Sequence, residues 1–156
     1  MTCIGPALFE RITGYFADGS KLTDHASADQ TFLSVRDNLQ RILNSRRGAL
    51  AHLTDYGLDD LSTVYRHLPS AALQLKHAME TTLLAYEPRL RSIDIEIAID
   101  PKIDVEPEAN KQGMLLSFTM VCRLRRDGLV RFDTEFTPDG RARLRLLRAA
   151  SAQHHK

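Results

Sequence analysis

Glu10, Asp18 and Thr23 are the residue types nearest to a hydrolytic constellation in this chain. Cutting a glycosidic bond takes two carboxyl groups roughly 5–10 Å apart across a cleft, one of them kept protonated. No glycine-rich strand hairpin follows to hold the aspartate in such a cleft. Other reactive types are scattered. His25, His52, His67 and His77 fall at no His-Glu-x-x-His or comparable metal spacing. Cys3 and Cys122 lie far apart and form no metal or redox motif; Cys122 sits in an alternating apolar run, where a buried, reduced thiol is expected. No serine or cysteine occupies a nucleophile motif, and no glycine-rich phosphate loop is present. The expectation is a protein that is not an enzyme and carries no cofactor and no metal.

Two charged constellations remain. Glu87 and Arg89 flank Pro88, and opposite charges around a rigid proline form a presentable recognition point for a protein partner. A local ion pair that merely shapes the chain is the plainer reading, and spacing alone favours it. If the pair is an exposed recognition element, Arg89→Ala costs folding little, because exposed pairs contribute only about 0–1 kcal/mol. The second constellation is Arg123, Arg125, Arg131, Arg143 and Arg145, at alternate positions of the last apolar runs. A basic stripe of this kind can neutralise phosphates. However, no exposed aromatics interleave the arginines for base stacking, and Asp133 and Glu135 sit among them. With 21 Lys plus Arg against 20 Asp plus Glu, overall charge does not commit the chain to nucleic acid or an anionic membrane. Cross-strand ion pairs or an acidic protein surface suit the stripe better.

A change of period between residues 83 and 90 positions these groups. Ala72, Leu75, Met79, Leu83 and Tyr86 recur at helical spacing. Pro88 stops that helix, because it lacks an N–H and pushes Glu87 out of the α region. From Ile93 the apolar residues fall at every second position: Ile93, Ile95, Ile97 and Ile99. Upstream, residues 6–17 suit a short amphipathic helix through Leu8, Phe9, Ile12, Tyr15 and Phe16, followed by a polar linker over 18–26. Ser27-Ala28-Asp29-Gln30 has capping-box form. It precedes a helix with Phe32, Val35, Leu39, Ile42 and Leu43 on one face and Arg36, Asp37, Gln40 and Arg41 turned away. Arg46, Arg47 and Gly48 suit the close of that helix. Tyr56-Gly57-Leu58 turns into a short helix with Leu61, Val64, Tyr65 and Leu68, and Pro69-Ser70 opens the long one.

The last third alternates. Met114, Leu116, Phe118, Met120, Cys122 and Leu124 share one face, as do Val130, Phe132, Thr134 and Phe136, and then Ala142, Leu144 and Leu146. A two-residue turn at Asp127-Gly128 would pair Leu124 with Arg131, setting a buried side chain opposite an exposed one. A three-residue loop with Gly128 left-handed pairs Leu124 with Val130 and Cys122 with Phe132. Pro138-Asp139-Gly140 repeats the device, with Pro138 at the first turn position. The expected fold is α+β, with N-terminal helices packed on one face of a C-terminal four-stranded, mainly antiparallel sheet. One domain spans 1–156, with a core over 27–148 and a flexible tail over 149–156 that ends in His154-His155-Lys156. Asp100 to Glu108 reads as an acidic, proline-broken loop. No apolar run approaches the roughly 20 residues of a membrane span, and no signal-peptide pattern opens the chain, so a cytoplasmic protein is expected.

Three motifs in order carry a family resemblance. The helix from Ser34 to Gly48, the Tyr56-Gly57-Leu58 turn and Tyr86-Glu87-Pro88-Arg89-Leu90 resemble the TssE family of type VI secretion baseplate wedge subunits. That family is itself similar to a wedge protein of contractile-tailed phages. The resemblance runs from about Leu8 to Leu147; Asp59 departs from it, standing where proline is expected. It implies a structural role: joining TssF-like and TssG-like wedge subunits and helping to initiate the contractile sheath, which is thought to add strands to an open sheet edge. It also implies interaction roles for Glu87, Pro88 and Arg89, and within a baseplate Arg123, Arg125, Arg143 and Arg145 suit a protein partner. No nucleic acid, membrane span or small-molecule substrate is expected. The alternatives are a nucleic-acid-binding module on the basic face and a lysozyme-like muramidase acting on peptidoglycan. For the muramidase, the intervals Glu10–Asp18–Thr23 are each one residue shorter than those of phage lysozymes.

Overall fold

The computed structural model describes residues 5–67, 70–100, 115–126, 128–137 and 139–150. Cys3, Leu68, Pro69, the acidic loop from 101 onward, Met114, Asp127, Pro138 and the His154–Lys156 tail lie outside them. Among the described residues, four α-helices precede the sheet: α1 (Leu8–Thr13), α2 (Ser27–Leu43), α3 (Leu61–Arg66) and α4 (Ser70–Tyr86). The strands are β1 (Leu90–Asp100), β2 (Leu115–Leu124), β3 (Leu129–Phe136) and β4 (Ala142–Ala150). Neighbours pair antiparallel in the order β1-β2-β3-β4. Helices α2 and α4 lie against the sheet, α2 beside β4 and α4 beside β1. The fold is the α+β arrangement expected.

The core follows the two periods. Phe32, Val35, Leu39, Ile42 and Leu43 of α2 and Ala72, Leu75, Met79 and Leu83 of α4 are buried against Ile95, Phe118, Met120, Cys122, Val130, Phe132 and Phe136. Each large apolar side chain buried in this way contributes about 1.5–3 kcal/mol. Tyr86 is half-buried and meets Tyr56 edge-on at 5.0 Å. Gly57, at φ 97°, is needed for two reasons: few side chains accept that conformation, and a Cβ there would clash with the Ser45 carbonyl. The close approach lets Leu58 N donate to Ser45 O and Arg47 N to Leu58 O. Asp60 then caps α3 by accepting from Ser62 N, and Asp59 pairs with Arg47 at 3.2 Å.

The first hairpin differs from expectation by two residues. Cys122 faces Val130 and Met120 faces Phe132. Leu124 N donates to Gly128 O, so Leu124 stands across from Gly128 rather than Val130. A shift of two preserves which face each side chain takes, so hydrophobic pattern alone did not distinguish the registers. A tertiary contact does: Arg125 N donates to Arg89 O and Arg125 Nε to Pro88 O, drawing Arg125 out of the hairpin toward the α4–β1 corner. Gly140, at φ 81°, lies inside the Thr137–Arg141 turn as expected, whereas Gly128, at φ 98°, stands just past the first loop, across from Leu124.

The N-terminal segment departs further. Helix α1 ends at Gly14, which is left-handed, and not at Asp18-Gly19-Ser20. Its apolar stripe faces outward, with Leu8 70% and Ile12 74% exposed, while Glu10 is buried at 2%. Phe16, past the Gly14 turn, is the aromatic that reaches the core. The capping box does not form. Ala26 is the N-cap of α2, and Gln30 Nε2 instead donates to the Leu22 and His25 carbonyls of the preceding 3-10 turn, Leu22–Asp24. Asp37 is buried rather than turned away: its Oδ2 accepts from Ala17 N at 2.8 Å, and its Oδ1 accepts from Arg36 Nε and Nη2. At the other end β4 runs to Ala150, past the expected start of the tail at 149.

Candidate functional site

Helix α4 delivers Glu87 to the corner: Glu87 N still donates to Leu83 O, and Leu90 N to Glu87 O opens β1. Between them stand exposed Pro88 and buried Arg89. Glu87 is 0% and Arg89 8% exposed, so the expectation of an exposed ion pair is corrected. The reason is the α2 surface above them, which carries Ser34 and Asn38 one turn apart and closes over the corner.

The contacts are two-pronged. Arg89 Nε donates to Glu87 Oε1 and Nη2 to Oε2, both at 2.8 Å, and Arg89 N adds a third bond to Oε1 at 3.0 Å. Asn38 Nδ2 donates to Oε2 at 2.8 Å, so both carboxylate oxygens accept two bonds. Arg89 Nη1 reaches Ser34 Oγ at 3.0 Å and Gly5 O at 3.2 Å, and Ala7 N donates to the same Ser34 hydroxyl. Parallel guanidinium–carboxylate bonds are among the stronger polar contacts in proteins, and a buried pair tolerates desolvation only when its remaining hydrogen-bonding groups are satisfied, as here. The cluster therefore joins three pieces of chain: the segment at Gly5–Ala7, α2, and the α4–β1 corner. Beneath it, burial, assisted by the Glu87 charge, pushes the Cys122 thiol up to about 12.

The arginines do not form one stripe. Arg125 belongs to the corner, beyond the end of β2. Arg123, Arg131, Arg143 and Arg145 are exposed on the sheet face away from the helices. Register places Arg145 opposite Asp133 and Arg143 opposite Glu135, while Asp94 and Glu96 occupy the same face of β1. Charge on this face thus runs from acidic at β1 to mixed at β3 and basic at β4.

Glu10 and Asp18 are held in different surroundings. Glu10 is buried, with Oε2 lacking a hydrogen-bond partner among the described residues. Burial pushes the Asp18 carboxyl up, but hydrogen bonds from Ser20 and Arg36, with the Arg36 charge, outweigh it and bring its pKa to about 2. Arg36 Nη2 bridges Asp18 to Asp37, tying the N-terminal segment to α2.

Sequence reasoning missed Ser34, Asn38 and Asp37 as organising residues. The available signal was polar residues bordering the apolar stripe of α2, at positions 31, 34 and 38.

A family model described as "Baseplate wedge protein gp25" matches residues 30–128. The chain belongs to the gp25 family of baseplate wedge proteins. The matched stretch holds most of α2, the Gly57 turn, the Glu87–Arg89 corner and β2, and it ends where β3 begins. One chain of a solved structure, "The baseplate complex from the type VI secretion system", is 32% identical, covers 78% of this chain and 98% of that one, and superposes with a TM-score of 0.51. Comparison with curated proteins yields no match. The TssE-like resemblance drawn from the three motifs agrees with both findings, and Ser34, Asn38, Glu87 and Arg89 of this gp25 family member lie within the matched stretch.

Proposed function

We propose that this chain is a structural subunit of a type VI secretion baseplate, joined to TssF-like and TssG-like wedge subunits, and that it helps initiate the contractile sheath. The observation that carries this reading is the likeness to nearly the whole of a chain from a solved type VI secretion baseplate complex. The chain works in the cytoplasm, by contact rather than catalysis. The Glu87–Arg89 cluster acts by setting the shape of the corner, where a partner meets exposed Pro88 and Arg125. Arg123, Arg143 and Arg145 offer an exposed basic surface to an acidic partner. Sheath subunits add a strand to an open edge of the sheet, which offers unpaired backbone groups as a template.

Co-purification with the TssF-like and TssG-like proteins of the same system tests wedge membership; a stoichiometric complex is expected, and its absence overturns the reading. Glu10→Gln and Asp18→Asn are expected to leave assembly and secretion intact. Lysis of purified peptidoglycan by the wild type, lost in either variant, would establish the muramidase alternative instead.

A further inference from the structure

Helices α2 and α4 cover one side of the sheet. The beginning of the β4 edge is covered too. Asn44 Oδ1 accepts from Ala142 N at 2.7 Å and its Nδ2 donates to Ala142 O at 3.0 Å, while Gln40 Oε1 accepts from Leu144 N at 3.1 Å. Side-chain amides that occupy an edge in this way prevent strand pairing there. Arg143 and Arg145 of β4 are therefore presented to a partner through the outer face of the sheet. The geometry points to that face as a contact between two copies of this chain, turned so that β1 of each lies over β4 of the other.

Strand register carries the inference. Glu96 stands beside Thr119, Thr119 beside Asp133 and Asp133 beside Arg145, so one row crosses the whole sheet from a carboxylate to a guanidinium. Asp94 on β1 and Arg143 on β4 occupy the rows on either side and reinforce the two ends. Among the described side chains at paired positions of this face, four arginines balance four carboxylates. The face therefore carries separated charge rather than excess charge. An evenly acidic partner meets repulsion from Asp94 and Glu96 as well as attraction to the arginines. A second copy carries the matching gradient by its own sequence.

Sheets packed face to face lie roughly 10 Å apart, with their strands aligned to within about 30°. A two-fold axis running along the strands reverses the lateral order, which sets Glu96 of each copy over Arg145 of the other. Thr119 then comes over Asp133 in both directions, bringing a hydroxyl to a carboxylate. An axis across the strands would set β1 over β1 and oppose like charges. The reversed arrangement closes as a dimer, because each copy uses the same patch. With the length of β3, eight residues, at about 3.4 Å each and strands about 4.8 Å apart, each copy contributes roughly 500 Å². Together that is about 1,000 Å², the lower bound of a specific interface, so weak and salt-sensitive pairing is expected. Pairing covers Arg143 and Arg145 and so competes with an acidic wedge partner, but it does not rest on the baseplate reading.

Sedimentation equilibrium of the full chain tests the assignment. The wild type should dimerise at about 50 mM salt, and its dissociation constant should rise at least about tenfold at about 500 mM, where exposed charges are screened. This arm needs no variant. Asp94→Lys/Glu96→Lys makes both ends of the face basic, and Arg143→Glu/Arg145→Glu makes both acidic. All four positions are exposed, so each variant should melt near the wild-type temperature and be monomeric alone. An equimolar mixture of the two should recover the dimer, because each basic end then meets an acidic one. A wild type that stays monomeric at low salt overturns the proposal. A dimer indifferent to salt or to either reversal places the contact elsewhere, and a mixture that stays monomeric rejects the reversed orientation. A monomeric wild type that binds the TssF-like and TssG-like subunits, and loses them in Arg143→Glu/Arg145→Glu, assigns the face to an acidic wedge partner instead. Failure of wild-type co-purification counts against the baseplate reading alone, and failure of the charge-swapped mixture against self-pairing alone.

Discussion

Two places where glutamate meets arginine, the α4–β1 corner and the outer sheet face, have opposite outcomes. At the α4–β1 corner, Glu87 and Arg89 are buried, and every carboxylate lone pair direction in use is filled by Arg89 or Asn38. On the outer sheet face, Glu135 stands opposite Arg143 and Asp133 opposite Arg145, in contact with solvent. The residue types are nearly the same; the dielectric surroundings are not. In water two such charges are screened and their side chains keep their freedom, whereas at the corner each depends on the other to offset desolvation. The difference teaches that a charge pair acquires structural weight from what covers it, here α2 through Ser34 and Asn38.

Breaking the corner should have the largest effect. Arg89→Ala leaves Glu87 buried without its main partner, and a loss of about 3–5 kcal/mol is expected from denaturant unfolding. This replaces the near-normal folding expected of an exposed pair. Replacing both partners, as Glu87→Leu/Arg89→Met, should restore most of that loss, because no unpaired charge remains. A double variant as unstable as the single would show that the cluster's geometry, and not charge burial, holds the corner.

Asn38→Ala is the next step down. Glu87 Oε2 keeps Arg89 but loses one donor, for an expected cost of about 1–3 kcal/mol. An effect within error would mean that water replaces the amide and that the corner is wetter than its burial indicates.

Cys122 gives the same contrast through pH. Its folded pKa of about 12 lies above the ordinary thiol value of 9.0, so its contribution is fully present below 9 and is lost as pH rises toward 12. By pH 10 the loss should be on the order of 1 kcal/mol, measured as the difference between the pH profiles of wild type and Cys122→Ala. Asp18, partly exposed, has the opposite sign: its stabilisation is present above the ordinary carboxylate range and fades as pH falls through about 2. Identical alkaline profiles for wild type and Cys122→Ala would remove the thiol from the account.

The smallest effect belongs to the outer face. Arg145→Ala and Asp133→Asn should each change stability by no more than about 0–1 kcal/mol, and less in high salt. A loss as large as that at the corner would erase the distinction between the two sites.

Periodicity made the main elements legible before any coordinates. Apolar spacing over 72–86 and 32–43 marked α4 and α2, and alternation after Ile93 marked the strands. Pro88 marked the change between them. Glycine marked where the chain turns, because only a residue without Cβ readily accepts the φ found at Gly128 and Gly140, but it did not set the register of the first hairpin. The three motifs placed the chain in its family.

Other features were decided by contacts between segments distant in sequence. The hairpin register depended on Arg125 reaching Pro88 and Arg89, a contact that alternation does not encode because a shift of two leaves every face unchanged. Burial of Glu87 and Arg89 depended on Ser34 and Asn38, 49 or more residues away along the chain. The exposed stripe of α1 and the buried Glu10 depended on the turn at Gly14 and the anchoring of Ala7 to Ser34. The closing of β4 by Asn44 and Gln40 spans about a hundred residues. Local sequence determined which residues become helix or strand, since that choice is made by φ, ψ and spacing within one element. Which polar groups are buried, and which edge of the sheet is covered, was decided only when α2 packed against the sheet, because desolvation and partner choice arise between elements and not within them.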